Sequence, residues 1–230
     1  MKKINCAIIL ARSNSKRIKK KNIKIFHGKP IIYWTIKNVL KSKKFNKVIV
    51  STEDIKVAKL SKKFGATVPF IRPKKLSRDK VGTKEVMNHS IKYLEKNHNN
   101  LNYICCFYAT SIFSKPNLIR KSFNLLDKKT NYIFCAKKTN SQSFRSLILD
   151  KKNKISYNNK KIHIRTQDSR SHYQDLGQFY LAKYDTWKKK KEILSTNSKA
   201  IILKEWQATD IDESDDWEFA KKLFLLNKYY

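Results

Sequence analysis

The chain alternates between short apolar runs and longer segments in which apolar residues recur every three or four positions. The runs have the length of strands and are typical of strands buried on both faces of a parallel sheet. They lie at residues 4–10, 47–51, 103–108, 132–136, 177–183 and 200–203. Several of the segments between them have the helical period. This order predicts an α/β fold, an open and mostly parallel sheet with helices on both faces, in three layers.

The predicted helices are bounded by residues that favour such positions. Pro30 can stand in the first turn of the first helix, and Gly65 follows the end of the second. Further helices are predicted around Val86–Leu94, over Pro116–Leu126 and over Ser214–Leu226.

Residues 140–175 interrupt the alternation. They are polar, with a weak hairpin-like pattern around Leu147–Leu149 and Lys154–Tyr157. No internal repeat and no Gly-, Ser- or Pro-rich linker divides the sequence. We therefore expect one domain, residues 1–230, with a small insertion at about 140–175.

The composition is that of a folded protein. Of 230 residues, 40% are hydrophobic and 12% are aromatic, which is too many for a disordered chain. No uncharged run approaches the length that spans a membrane, so we expect a cytoplasmic protein without a membrane partner. The four cysteines lie in apolar runs without metal-ligand spacing, which favours buried, reduced thiols over a zinc site.

The formal net charge of +34 would attract polyanions, so a non-catalytic, basic nucleic-acid-binding protein is one alternative. Such a protein needs basic residues gathered on one face together with exposed aromatic residues. Here the lysines are spread along the whole chain. Five aromatic residues fall where core residues are expected: Trp34, Tyr103, Phe107, Phe134 and Phe179. Nucleic acid is therefore not the expected partner.

A basic loop at residues 11–22 follows the first predicted strand. In an open α/β sheet, ligands bind beyond the carboxyl ends of the strands. The loop offers hydroxyl groups, backbone N–H groups and several cations, which suit a polyphosphate. It lacks the glycines of a Walker loop or of a dinucleotide-binding fingerprint. From these residues alone, a phosphate-binding loop and a solvated turn remain equal alternatives.

The order of residues in this loop resembles the signature of the cytidylyltransferases that activate sialic acids and related nonulosonic acids, roughly A-R-x-G-S-K-x-I-x-x-K-N. The matching positions are Ala11, Arg12, Ser15, Lys16, Ile18, Lys21 and Asn22. The resemblance continues at residues 26–32, 50–54, 65–66, 69–73, 210–212 and 216–218. It therefore covers essentially the whole chain.

This resemblance implies a Rossmann-like fold of the nucleotide-diphospho-sugar transferase type and a nucleotidyltransferase reaction. In that reaction, the anomeric hydroxyl of an acidic nine-carbon sugar attacks the α-phosphate of CTP, which gives a CMP-sugar and pyrophosphate, with Mg²⁺ as the cofactor. A homodimer formed through the insertion is also implied. Residues 105–110, 165–168 and 173–180 are similar to the pseudaminic acid branch. N-acetylneuraminic acid and legionaminic acid are the alternative acceptors.

The CTP site that the resemblance implies lies mainly on the basic loop. Its residues are Ala11, Arg12, Asn14, Ser15, Lys21, Asn22 and Arg72. Arg72 could instead pair with Asp79. Arg12, Lys21 and Asp212 are the catalytic candidates, because catalysis of nucleotidyl transfer consists mainly of positioning and charge neutralisation.

Asp210 and Asp212 are the metal-binding candidates. Residues two apart in an extended segment point to the same side, so both carboxylates can approach one Mg²⁺ ion. From spacing alone, the alternative is that Asp212 or Ser214 caps the last helix. The D-x-D metal site of the family favours the metal interpretation.

The acceptor sugar carries a carboxylate, amides and hydroxyls, so its site needs cationic and hydrogen-bonding side chains. The candidates are Tyr108, Arg165, Gln167, Asp168, Asp175, Gln178 and Tyr180. Arg165 is the candidate for the sugar carboxylate. The general base stays open between Asp212, Asp175 and a metal-bound hydroxyl of the sugar itself.

The sequence departs from the family pattern at a few positions. The usual glycine of the loop is Asn14, which tolerates left-handed backbone angles, so we expect the loop to keep its shape. The usual proline before the loop is Leu10. Gln174 and Leu176 replace the His and Ala of the pseudaminic acid branch in a stretch expected to face the sugar, which leaves the identity of the acceptor open.

Overall fold

The computed structural model describes residues 3–139, 147–151, 153–157 and 171–227. Within these ranges the strands are β1 Ile4–Leu10, β2 Ile25–Phe26, β3 Lys29–Pro30, β4 Lys47–Ser51, β5 Leu101–Tyr108, β6 Tyr132–Thr139, β7 Leu147–Leu149, β8 Ile155–Tyr157, β9 His172–Lys183 and β10 Lys199–Leu203. The α-helices are α1 Ile31–Lys41, α2 Ile55–Lys63, α3 Thr83–Asn97, α4 Pro116–Asn124, α5 Tyr184–Lys188 and α6 Ser214–Leu226. The predicted alternation of strands and helices is confirmed.

The central sheet has six strands in the order β10-β6-β9-β5-β1-β4. Strand β1 pairs in parallel with β4 and β5, and β10 pairs in parallel with β6. Strand β9 is antiparallel to its two neighbours, β5 and β6. The sheet is therefore mostly parallel, as predicted, and the carboxyl ends of its parallel strands meet at one edge, where ligands bind in such folds.

Alternating side chains of the central strands pack into two cores on opposite faces of the sheet. In β1, Ala7 and Ile9 join the core that contains residues of α1, α2, α4 and α6, whereas Cys6 and Ile8 join the core that contains residues of α3 and α5. Successive side chains of a strand point to opposite faces. Because both faces are covered, the strand is apolar throughout, and the fold has the three predicted layers.

Some element boundaries differ from the predicted ones. Helix α1 begins at Ile31, and Pro30 is its N-cap residue instead of standing in its first turn. Strand β9 begins at His172, well before the predicted start at residue 177, because its first part continues to pair with β6. The β2–β3 hairpin and helix α5 are too short to give a periodic pattern, and the sequence does not predict them. The predicted hairpin of β7 and β8 is confirmed.

The five aromatic residues expected in the core are buried or pack against it. Phe107 and Phe179 are buried, and Trp34, Tyr103 and Phe134 pack against the two cores. All four cysteines are free and buried, as predicted. In the part of the chain that the structure describes, no helix is both long enough and apolar enough to cross a membrane.

Candidate active site

A cavity of about 700 Å³ opens at the carboxyl edge of the sheet. Its walls come from the loop after β1, the segment before α3, the end of β5, the start of β9 and the segment before α6. The residues predicted from the sequence that line it are Arg12, Ser15, Lys21, Asn22, Arg72, Tyr108, Asp175, Tyr180, Asp210 and Asp212. The fold therefore brings together candidates from both ends of the chain.

Other predicted residues do not line this cavity. Ala11 is fully buried directly after β1, and Asn14 is an exposed residue of the basic loop. Gln178, predicted to contact the sugar, is 1% exposed, and its amide donates a hydrogen bond to the Thr209 carbonyl oxygen at 3.3 Å. The Gln178 side chain therefore links β9 to the segment before α6 instead of lining the cavity. Three further sugar candidates lie outside the described residues: Arg165, Gln167 and Asp168.

The end of the basic loop is tied to the segment that precedes α6. Lys21 Nζ donates a hydrogen bond to the Ile211 carbonyl oxygen at 2.6 Å and lies 3.3 Å from Asp212 Oδ1. Arg17 Nη2 lies 3.1 Å from the other carboxylate oxygen of Asp212. Two cations of the loop therefore converge on one carboxylate. Arg17 lies in the same basic loop as the predicted residues, and that loop is the signal that could have identified it.

The start of the basic loop faces Asp79. Arg12 Nη1 lies 2.9 Å from Asp79 Oδ1, and Lys16 Nζ lies 2.7 Å from Asp79 Oδ2. The hydrogen bond from Lys16, with the charges of both cations, holds the pKa of Asp79 below its usual value. Asn22 Nδ2 donates to the Arg12 carbonyl oxygen at 2.7 Å, so the two ends of the loop are linked. The alternative in which Asp79 pairs with Arg72 is therefore wrong.

Arg72 is 3% exposed and pairs with Glu53, at 2.8 Å between Nη2 and Oε2. Its Nε also donates to Ser77 Oγ at 3.0 Å. A buried guanidinium needs a buried partner, and the Glu53 side chain is 9% exposed where that of Asp79 is 44% exposed. Glu53 Oε1 accepts hydrogen bonds from Ser13 N at 2.6 Å and Ser13 Oγ at 2.8 Å. Burial alone would raise the pKa of Glu53, but these hydrogen bonds and those from Arg72 and Ser77 lower it to about 2.

Asp210 lies close against β9. Gly177 has a φ of +56°, and a Cβ atom built on it would lie 3.3 Å from Asp210 Oδ2, so the glycine allows both the strand geometry and the close approach. Burial, and then the charges of Asp212 and Asp175, raise the pKa of Asp210. Three carboxylates therefore share one part of the cavity, where a bound cation would offset their repulsion.

Helix α6 is capped by neither of the residues considered from the sequence. Its N-cap residue is Glu213, and Asp216 completes a capping box by accepting a hydrogen bond from Glu213 N at 2.8 Å. The capping interpretation of Asp212 and Ser214 is therefore wrong. Asp216 Oδ2 also accepts from Asp212 N at 2.9 Å, so the start of the helix positions Asp212 at the cavity.

The residues of this edge fit a hard divalent cation only in part. Within the described residues, no group of three or more His, Cys, Asp or Glu side chains is arranged to hold a metal ion. Asp210 and Asp212 nevertheless supply two carboxylates to one cavity, and burial, together with the charges of Asp212 and Asp175, raises the pKa of Asp210. Mg²⁺ commonly takes one or two protein carboxylates and completes its shell with phosphate oxygens and water. The pair fits that pattern.

Two tyrosines and a carboxylate form another part of the wall. Tyr180 Oη donates to Asp175 Oδ2 at 2.5 Å, and Tyr108 Oη lies 2.7 Å from Thr83 Oγ1. Gly177 N donates to the second oxygen of Asp175 at 3.0 Å. Burial is the main cause that raises the pKa of both tyrosines, so both phenols keep their protons. This wall offers neutral hydroxyl groups and one carboxylate to a polar ligand.

The positions that depart from the family pattern do not all lie where the sequence suggests. The left-handed residue of the basic loop is Lys20, with a φ of 53°, and not Asn14. Leu176 is 1% exposed and belongs to the core. The expectation that it faces the sugar is therefore wrong. Gln174 is exposed and pairs with Lys137 across the sheet.

Comparison with known proteins identifies the family. The cytidylyltransferase family model matches residues 6–230. A pseudaminic acid cytidylyltransferase of Campylobacter jejuni is 31% identical over 225 residues, which are 97% of this chain and 97% of that protein. A Helicobacter pylori protein named pseudaminic acid cytidylyltransferase and UDP-2,4-diacetamido-2,4,6-trideoxy-beta-L-altropyranose hydrolase is 34% identical over 89% of this chain and 40% of its own length. Among solved structures, CMP:2-keto-3-deoxy-manno-octonic acid synthetase complexed with CTP shares the fold, with a TM-score of 0.70 at 14% identity over 97% of this chain and 99% of that one.

Proposed function

Since the chain belongs to the cytidylyltransferase family, we propose that it transfers CMP from CTP to the anomeric hydroxyl of a nonulosonic acid and releases pyrophosphate. Pseudaminic acid is the proposed acceptor, because nearly full-length relatives carry that name. The observation that supports the reaction best is the cavity, in which the cations of one loop lie beside the carboxylates of Asp210 and Asp212. A nucleoside triphosphate with its metal ion needs both.

The basic loop would bind the triphosphate. Four of its cations line the cavity: Arg12, Lys16, Arg17 and Lys21. They pair with Asp79 and Asp212 in the structure, and phosphate oxygens would replace those carboxylates as partners. Negative charge grows on the α-phosphate and on the leaving pyrophosphate during the reaction. Arg12 and Lys21 would stabilise that charge.

Asp210 and Asp212 would hold Mg²⁺. When bound, the ion neutralises phosphate charge and assists the departure of pyrophosphate. Lys21 donates a hydrogen bond to the Ile211 carbonyl oxygen, between these two residues, so it keeps the loop and the metal ligands in contact when a phosphate replaces Asp212 as its ionic partner.

The sugar would bind beside Tyr108, Asp175 and Tyr180. The two phenols offer hydrogen bonds to hydroxyl and amide groups of the acceptor. Asp175 and Asp212 are the two cavity carboxylates proposed as bases for the anomeric hydroxyl. Each would need to lie within hydrogen-bond reach of that hydroxyl in the ternary complex.

The reaction is tested by measuring pyrophosphate release from CTP and Mg²⁺ in the presence of pseudaminic, legionaminic or N-acetylneuraminic acid. We expect release with pseudaminic acid and a loss of roughly 100-fold or more in kcat for Asp212→Ala, as for the removal of a group that stabilises transition-state charge. Asp215→Ala is the matched control, because Asp215 is an exposed carboxylate in the first turn of α6 that does not line the cavity.

The outcomes separate the parts of the proposal. Release with another of these sugars would replace the acceptor but keep the reaction. No release with any sugar, although CTP binds, would refute the transfer reaction on these acceptors. A chain that does not bind CTP in the presence of Mg²⁺ would refute the proposed function as a whole.

We also propose a homodimer formed through residues 140–175, and a cytoplasmic location. Apolar side chains of the β7–β8 hairpin support the dimer, since Ile148, Leu149 and Ile155 are all more than half exposed. The four free cysteines fit a reducing compartment.

A further inference from the structure

Glu53 does not line the cavity, yet it contacts two segments that do. Its Oε1 accepts two hydrogen bonds from Ser13 in the basic loop, and its Oε2 pairs with Arg72 in the segment before α3. The residue follows β4 directly, where Thr52 accepts a further hydrogen bond from Arg72 N at 2.8 Å. The Glu53 carboxylate therefore connects three parts of the chain: the end of β4, the loop after β1 and the segment before α3.

A chain of hydrogen bonds connects Glu53 to residues that line the cavity. Ser15, which lines the cavity, donates its N–H to the Ser13 carbonyl oxygen at 3.0 Å. Ser13 is in turn held by Glu53 through both its N–H and its hydroxyl group. On the other side, Arg72 lines the cavity and is fixed by Glu53 and Ser77.

The charge of Glu53 also has a consequence for the ligand. A carboxylate beside a triphosphate site would repel the phosphates if it were unpaired. Here Arg72 lies 2.8 Å away and both side chains are buried, so the pair presents little net charge to the cavity. Glu53 can therefore organise the loop without opposing its ligand.

We propose that Glu53 is a positioning residue for CTP: it holds Ser13, and through it Ser15, together with Arg72, in the arrangement that receives the triphosphate. This inference rests on the proposed function, because it assigns CTP to the cavity. A preformed loop binds more tightly than one that must be ordered on binding. The loss of Glu53 should therefore weaken CTP binding and leave acceptor binding unchanged.

The test compares Glu53→Gln with the wild-type chain in steady-state kinetics and in direct CTP binding with Mg²⁺. We expect the KM and Kd for CTP to rise about tenfold, as for the loss of hydrogen bonds to a charged group, with the acceptor KM and kcat within about twofold. Ser13→Ala removes one of these hydrogen bonds and leaves the ion pair intact, so its KM for CTP should rise about threefold. Asp127→Asn is the matched control, because Asp127 pairs with Lys199 away from the cavity.

A normal KM for CTP in both variants would overturn the inference, and so would a fall in kcat with an unchanged KM, which is the signature of a merely structural role. If Glu53→Gln does not fold, Ser13→Ala decides by the same criterion. A wild-type chain that does not bind CTP would instead refute the proposed function, and the inference with it.

Discussion

At the scale of single residues, Asp79 is a carboxylate in contact with the cations proposed for phosphate binding. It pairs with Arg12 and Lys16, and its side chain is 44% exposed, so it competes directly with an anionic ligand for these partners. We expect Asp79→Asn to bind CTP about two- to fivefold more tightly, a gain of the size that exposed ion pairs allow. Titration calorimetry with CTP would measure it.

A control variant distinguishes the loss of the Asp79 ion pairs from the change in the net charge of the protein. Asp185→Asn makes the same change of charge at an exposed position of α5 outside the cavity, and it should leave CTP affinity unchanged. The gain for Asp79→Asn should also shrink at high salt, because exposed ion pairs are screened. Weaker binding by Asp79→Asn would show that Asp79 assists the ligand and does not compete with it.

Glu53 should make the stability of the chain depend on pH in acid. Its folded-state pKa of about 2 lies below the ordinary value of 4.5, so its charged form stabilises the fold above about pH 4.5, and this contribution is lost as the pH falls towards 2. The free energy of unfolding of Glu53→Gln should lie about 3 kcal/mol below the wild-type value at pH 7, and this gap should narrow at pH 3. Urea unfolding at the two pH values measures the gap. A gap that is the same at both would show that the charge of Glu53 is not its source.

At the scale of elements, Gly177 in β9 lies against Asp210, one of the carboxylates of the cavity. Gly177→Ala puts a Cβ at a φ of +56° and 3.3 Å from Asp210 Oδ2, so it should cost about 1–2 kcal/mol of stability and displace Asp210. We expect kcat to fall roughly tenfold or more, because small displacements of a positioned group are costly. Gly28→Ala is the control: its φ is +77°, but nothing lies within 4 Å of the added Cβ, so it should lose stability without losing kcat. Equal effects of the two variants on kcat would contradict the role of Gly177.

The elements that the sequence predicts well are those with a long pattern. The apolar run at β1 and the helical period of α6 identify those two elements to the residue, and the period after Pro30 identifies α1. The β2–β3 hairpin and α5 leave too few residues for a period, and the start of β9 depends on its pairing with β6, which is a tertiary contact. Local pattern therefore predicts the layers, whereas the start of β9, which lines the cavity, depends on its pairing with β6.

At the scale of the whole molecule, the sequence indicates which residue types meet but not which side chains pair. The basic loop and the pair Asp210–Asp212 are visible as local patterns, and the cavity contains them both. The contacts of Arg12 with Asp79 and of Arg72 with Glu53 join distant segments, and burial decides between the two carboxylates. Such choices follow from packing, which a single sequence does not display.

The net charge of +34 attracts polyanions but does not identify the ligand of this protein. Most of this charge is carried by lysines spread over the chain, whereas Phe107 and Phe179 are buried and Trp34, Tyr103 and Phe134 pack against the two cores. A field of this size increases the rate at which any polyanion approaches, without selecting among polyanions. Selection would come from the cavity, where opposed cations and carboxylates suit a triphosphate with a metal ion.

The proposed homodimer is a property of the whole molecule that one hairpin can test. Leu149 is 61% exposed on the β7–β8 hairpin, within the insertion expected to form the interface. Leu149→Glu would place a charge in an apolar contact, so we expect a dimer in the wild-type chain and a monomer in the variant by light scattering after gel filtration. Leu194→Glu, at a residue 63% exposed outside the insertion, should remain dimeric. Arg12, Lys21 and Asp212 lie outside the insertion, so the monomeric variant should still bind CTP. A wild-type chain that is monomeric at every concentration would refute the dimer and leave the proposed reaction intact.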